Sequence, residues 1–197
     1  MPRSRMFDED TLLDAAVELF WVHGYRAASL ADLSARTGVA NGSLYQAFGS
    51  KWVLFLAVYH RYCARRVAVV ARVFDEKRDG IEQTVNAYFD AIVDDCASHP
   101  DRRGCLMLNT ISEFGTNTEI AAISTETVDQ MEAAVFRGLS GVTAQGFEPA
   151  EIAASAAHIV ALSQALIQLS RMGRDDKDLR RIGTRAAASI QRQLLAA

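Results

Sequence analysis

Residues 29–48 constrain the fold of this chain more than any other stretch. They read as two helices of about two turns each, separated by one turn at Thr37-Gly38-Val39. Ser29 and Asp32 stand at the spacing of a capping pair at the start of the first. Leu30 and Leu33 give it an apolar face, and Gly38 ends it. The second reads NGSLYQAF over 41–48, with Leu44 and Phe48 four apart and so on one face, while Ser43, Tyr45 and Gln46 point elsewhere. Helices this short do not hold in water by themselves, so neighbours must clamp them. A helix is expected over 8–22, with Asp8, Glu9 and Asp10 at its dipole-favoured start and Leu12, Ala16, Leu19 and Phe20 on one face, ended by Gly24. After Gly49-Ser50, a helix of about two dozen residues is expected over 51–74, with Ser50 as its cap.

The remaining chain carries the same 3.6-residue periodicity. Five further helices are expected at 80–98, 103–114, 118–139, 149–171 and 176–195, with breaks at Asp79-Gly80, His99-Pro100, Gly115, residues 138–146 and Met172-Gly173. Only three prolines occur, at Pro2, Pro100 and Pro149, all at expected edges, and half the residues are hydrophobic. No strand pattern is present. The chain is therefore expected to be all-α: residues 1–50 a three-helix helix-turn-helix domain and 51–197 a larger helical domain, with the helix from Lys51 linking the two.

Charge is unevenly placed. From Gly24 to Arg72 there are seven cations (Arg26, Arg36, Lys51, Arg61, Arg65, Arg66, Arg72) against Asp32 alone, a stretch of +6 in a chain of net charge -3. Such a segment is either a polyanion-facing surface or a solvated helix face. Two short helices crossed at a tight turn fit the first alternative: the second helix of that motif lies in the DNA major groove and offers polar side chains to base edges. Ala40, Gly42 and Ser43, small residues near its start, allow close approach to the duplex.

Other functional classes find little support. Cys63, Cys96 and Cys105 are irregularly spaced, with no CxxC pair, metal-ligand pattern or cofactor motif. Asp94 and Asp95 are adjacent rather than facing, and no Glu-x-x-His pair or His/Cys cluster suggests an enzyme. No secretory signal and no apolar run of roughly 18 residues is read, so a cytoplasmic setting away from membranes is expected.

The stretch from Thr11 to Val58, TLLDAAVELFWVHGYRAASLADLSARTGVANGSLYQAFGSKWVLFLAV, resembles the TetR family of transcriptional regulators. The match lies in order and spacing: an apolar helix ending in HGY, then SLADLSARTGV, GSLYQAF, and GSK leading into a long helix. The resemblance implies a homodimeric regulator, more often a repressor, released from operator DNA by a small-molecule effector. It implies a phosphate contact for Ser29, groove contacts for Ser43 and Gln46, and phosphate contacts for Tyr45 and Lys51. Beside these stand plainer roles: Ser29 as a cap, Tyr45 as packing, Lys51 as a solvated charge. Family members often carry a hydroxyl residue and a lysine before GSLY, where this chain has Ala40 and Asn41; Asn41 either reads adenine or caps the helix. Trp52 stands where an acidic residue is common. Arg3 and Arg5 form either a loose phosphate-binding arm or a solvated tail.

The second half resembles the family in length and helical character. RGCLMLNTISEFG, from Arg103 to Gly115, resembles a segment beside the effector cavity in a subset of these regulators. Cys105, next to Arg102 and Arg103, is either a sensor thiol or a buried structural cysteine. Asn109 and Glu113, four apart, offer a polar anchor for an effector, and Phe89, Met107 and Met131 an apolar lining, or alternatively core. The 149–171 helix is apolar almost all round and the 176–195 helix carries a stripe at Leu179, Ile182, Ala186, Ile190 and Leu194. These two, the eighth and ninth, are expected to form a four-helix dimer interface.

Overall fold

The structure is a computed structural model and describes residues 8–142 and 147–196. Arg3, Arg5 and part of the expected break at 138–146 lie outside the described residues. Among the described residues there are nine helices and no strand: α1 (Glu9–Ala27), α2 (Leu30–Thr37), α3 (Asn41–Phe48), α4 (Lys51–Asp75), α5 (Ile81–Ala97), α6 (Leu106–Phe114), α7 (Thr118–Val142), α8 (Pro149–Arg171) and α9 (Asp176–Ala196). The expected helices are all present.

Local signals explain most boundaries. The Asp8 carboxylate accepts from the Asp10 N–H and opens α1; Gly24 (φ 71°) kinks it, and the chain makes one further turn to Ala27. Ser29 and Asp32 form a reciprocal capping box on α2, and Gly38 closes it in the left-handed region at φ 70°, a conformation that costs glycine little. Ser50 accepts from the Val53 N–H and caps α4.

Three boundaries differ from expectation, the first being the end of α1, which continues past Gly24 to Ala27 instead of stopping near 22. α6 begins at Leu106 rather than 103, because Arg102 (φ 52°) and Gly104 (φ 70°) hold the preceding segment out of helical geometry. α7 runs through Gly138 to Val142, since Gly138 and Leu139 are buried in a packed contact rather than in a break.

One continuous core joins all nine helices. α1 and α3 pack on α4, α2 packs on α1 and α3, and α4 runs along α7; α5 is held by α8 and α9, and α7 packs on α8. The α9 stripe is used inside the protomer: Leu179, Ile190 and Leu194 are buried against α5 and α8, and Ile182 and Ala186 are half-buried. α9 therefore does not reserve that stripe for a partner. By length and composition α8 is apolar enough to cross a bilayer, which counting uninterrupted apolar runs does not detect. Its buried face (Ile152, Ile159, Val160, Leu166) packs within the helical core, while Ala154, His158, Ala161 and Ala165 lie exposed.

Candidate nucleic-acid interface and effector cleft

Leu44 fixes α3: it is fully buried, and Phe48 packs half-buried beside it. That anchoring turns Asn41, Gly42, Tyr45 and Gln46 outward and leaves Ser43 half-buried. Tyr45 is 55% exposed, with no intramolecular hydrogen bond to its hydroxyl among the described residues. The N-cap of α3 is Ala40, which provides no side-chain acceptor. Asn41 is the first helical residue rather than the cap. The opening N–H groups of α3 thus stay without a side-chain partner, at the end of the helix where the dipole attracts anions.

Ser29 is engaged differently. Its hydroxyl donates to Asp32 Oδ2 (2.6 Å), its N–H donates to the same oxygen (2.9 Å), and the Asp32 N–H donates back to Ser29 Oγ (3.0 Å). The Ser29 hydroxyl and N–H hold the Asp32 carboxyl below the usual carboxylate range. Of the two roles considered for Ser29, capping is the one its hydroxyl performs here. Lys51, at the first turn of α4, is half-buried with Nζ 4.4 Å from the centroid of the Tyr25 ring, a cation–π contact that aims its stem.

Much of the +6 stretch is neutralised by carboxylates outside it. Arg61 pairs with Asp14 (2.6 Å) and Asp10 (2.7 Å), and Arg65 also bonds Asp14. Arg66 pairs with Asp95 (2.9 Å) and Arg26 with Glu113 (3.3 Å). Arg36, Lys51 and Arg72 have no carboxylate partner among the described residues. Of these three, Arg36 and Lys51 belong to the elements that flank α3, whereas Arg72 stands in the last turn of α4, about 31 Å along the helix from Lys51. Sequence could not reveal this neutralisation, because the Arg61, Arg65, Arg66 and Arg26 pairs join residues 29 to 87 positions apart.

The N-terminal helices are tied to the rest of the chain by contacts at one junction. Trp21 Nε1–H donates to the Gly104 carbonyl (3.0 Å), and the Arg103 guanidinium lies 5.0 Å over the Trp21 ring while pairing with Glu18 (2.7 Å). Trp52 Nε1–H donates to Glu119 on α7 (2.9 Å). Tyr25, Trp52, Phe55 and Phe114 pack with ring centroids 5.0–6.0 Å apart, distances at which aromatic rings attract in tilted and edge-on arrangements. A half-open cleft of about 640 Å³ runs between α1 and α6, walled by Phe20, Trp21, Tyr25, Leu106, Asn109 and Glu113 among others.

The effector candidates separate into two groups. Asn109 and Glu113 reach the cleft, but both have partners: Asn109 donates to the Arg103 carbonyl (2.8 Å) and accepts from Arg171, and Glu113 holds Arg26. Phe89, Met107 and Met131 do not line this cleft; they are almost wholly buried in the core, and Phe89 lies against Gly183 of α9. Their helical spacing marks packing, which periodicity cannot distinguish from a pocket lining. Cys105 is 4% exposed and accepts a hydrogen bond from the Tyr62 hydroxyl (3.4 Å), as a structural cysteine does. Burial also pushes the nearby Cys63 thiol up to about 12. Among the described residues no three His, Cys, Asp or Glu side chains are grouped to hold a metal ion.

The chain matches the family model described as bacterial regulatory proteins, tetR family, over residues 12–58. It is 39% identical over 117 residues to the HTH-type transcriptional repressor ComR of Escherichia coli (strain K12), a match covering 59% of this chain and 55% of that protein. It is 29% identical over 202 residues to the HTH-type transcriptional regulator YezE of Bacillus subtilis (strain 168), covering 96% of this chain and 98% of that one. Among solved structures it is similar to a cysteine mutant of the TetR family regulator CifR complexed with a 26 bp operator duplex. That likeness has TM-score 0.71 and 25% identity, over 96% of this chain and 99% of that chain. A TetR transcriptional regulator from Chloroflexus aurantiacus shares the fold with TM-score 0.77 and 24% identity, over 94% of each chain.

Proposed function

We propose that this chain, whose residues 12–58 match the tetR family model, is a TetR-type transcriptional regulator, a homodimeric repressor which leaves its operator when a small molecule binds. Residues 1–50 form the DNA-binding domain and residues 51–197 the effector and dimerisation domain, with α4 crossing between them. The observation that carries the reading is α3: an eight-residue helix anchored by Leu44, with Asn41, Gly42, Tyr45 and Gln46 exposed and its first N–H groups uncapped. Asn41, Ser43 and Gln46 read base edges, Gly42 permits close approach, and Tyr45 and Lys51 take phosphates. Ser29 supports the interface through the backbone it caps.

A dimer is required by geometry, since two α3 helices must meet successive major grooves roughly 34 Å apart. The exposed alanine face of α8 (Ala154, Ala161, Ala165) and the outer side of α9 supply the contact. The chain turns over no substrate and works in the cytoplasm. Operator release follows from the junction where Trp21, Arg103 and Glu18 seat α1 on the α5–α6 segment: an effector in the neighbouring cleft that shifts this seat alters the α3 spacing. The test is fluorescence anisotropy of the full chain with a near-palindromic duplex selected from random sequence. A specific-over-random preference of about 10³ or more, with a steep salt slope, is expected. Equal affinity for selected and random duplexes at moderate salt refutes it.

A further inference from the structure

Arg66 is a charged side chain held at 12% exposure, and a buried guanidinium is costly unless its donors are met. It gives Nη1–H to Asp95 Oδ2 (2.9 Å) and finds no other acceptor among the described residues. It lines a cavity of about 10 Å³ together with Tyr62, His99, Cys105, Ser170 and Arg171, space for roughly one water. This cavity shares Arg102, Arg103 and Arg171 with the larger cleft between α1 and α6.

The charges around the two spaces do not balance. Asp95 is matched by Arg66, Asp101 and Glu18 by Arg103, and Glu113 by Arg26. His23 and His99 also face these spaces. Arg102 and Arg171, both exposed at the mouth of the cleft, have no carboxylate among the described residues, and Arg171 donates to Asn109 Oδ1. Both are seated where a glycine makes room. A Cβ at Gly173 would stand 2.5 Å from Arg102 Nη1, and a Cβ at Gly104 would stand 2.9 Å from Arg171 Cδ. Arg102 is also the one described non-glycine residue with positive φ (52°), a strained geometry held by its surroundings.

We propose that this junction is an anion subsite, and that the effector is an amphipathic organic acid. Arg102 and Arg171 hold its carboxylate, with Arg66 adding positive charge behind them from the adjoining water-sized cavity, and its apolar part lies in the cleft against Phe20, Trp21, Tyr25 and Leu106. The acid enters beside the Trp21–Gly104 hydrogen bond, the place from which α1 is shifted. This deepens the effector-responsive reading above and rests on it.

The test uses 4-phenylbutyrate and its uncharged amide, titrated calorimetrically into the full chain at fixed ionic strength. The acid is expected to bind about tenfold or more tighter than the amide. An Arg102→Gln, Arg171→Gln variant, with melting checked by circular dichroism, is expected to bind both alike. Equal binding of acid and amide to the wild type overturns the proposal. So does failure of the acid to saturate by ~10 mM, or an acid preference that survives the double substitution. Operator affinity is measured on the same preparations. Specific DNA binding without acid preference removes the subsite alone, and loss of specific DNA binding removes the regulator reading whatever the acid does.

Discussion

Tyr45→Phe isolates the recognition surface from the fold. The ring is 55% exposed and its hydroxyl makes no intramolecular hydrogen bond among the described residues, so the substitution changes no contact within the free protein. The melting temperature is expected to stay within about 1 °C. In the proposed DNA complex the hydroxyl gives one hydrogen bond to a phosphate, charge-assisted and worth about 1.5 kcal/mol. The proposed dimer presents two copies, so the expected loss is about 3 kcal/mol, or roughly 100-fold in Kd. Because the lost donor is neutral, the slope of log affinity against log salt is expected to be unchanged, whereas Lys51→Ala should flatten it by about one unit per subunit. Anisotropy titrations of the selected duplex at four salt concentrations measure both. A Tyr45→Phe affinity within twofold of wild type refutes the placement of this ring on the backbone.

Three further outcomes follow from packing and charge. Gly138→Ala gains about 1 kcal/mol of helix propensity, but the new Cβ would lie 2.6 Å from Phe74 Cβ and 2.9 Å from the Phe74 carbonyl oxygen. Overpacking at about 1–3 kcal/mol wins, so urea denaturation should show net destabilisation, and a stabilised variant contradicts the close α4–α7 contact. The hydrogen bond from Arg61 holds the Asp14 carboxyl below its usual range. A depressed carboxyl adds stability that is present above pH 4 and lost as the pH falls through the folded-state value. Asp14 and Arg65 are nearly half exposed, so after screening Asp14→Asn should cost only a few tenths of a kcal/mol to about 1 kcal/mol at pH 7, a difference that shrinks as the pH is lowered through the folded-state value, as paired melts would read. Cys63 should resist iodoacetamide at pH 8 in the native state and react on unfolding, since burial keeps its thiol protonated; rapid native labelling is the contrary result.

The helices were legible because their signals are local. Capping pairs such as Ser29 with Asp32, the glycine at 38 and the 3.6-residue apolar period act within one or two turns, so adjacent residues suffice to set them. The outward turn of Tyr45 and Gln46 was legible for the same reason, since Leu44 and Phe48 declare the buried side of α3. What tertiary structure decided is which long-range partner each group meets. It placed Phe89, Met107 and Met131 in the core, turned the α9 stripe onto α5, and paired four arginines of the basic segment with distant carboxylates. It also left Arg102 and Arg171 without a carboxylate among the described residues, each against a glycine. Periodicity shows that a face is buried but not what covers it, and charge composition counts ions without the distances that decide their pairing.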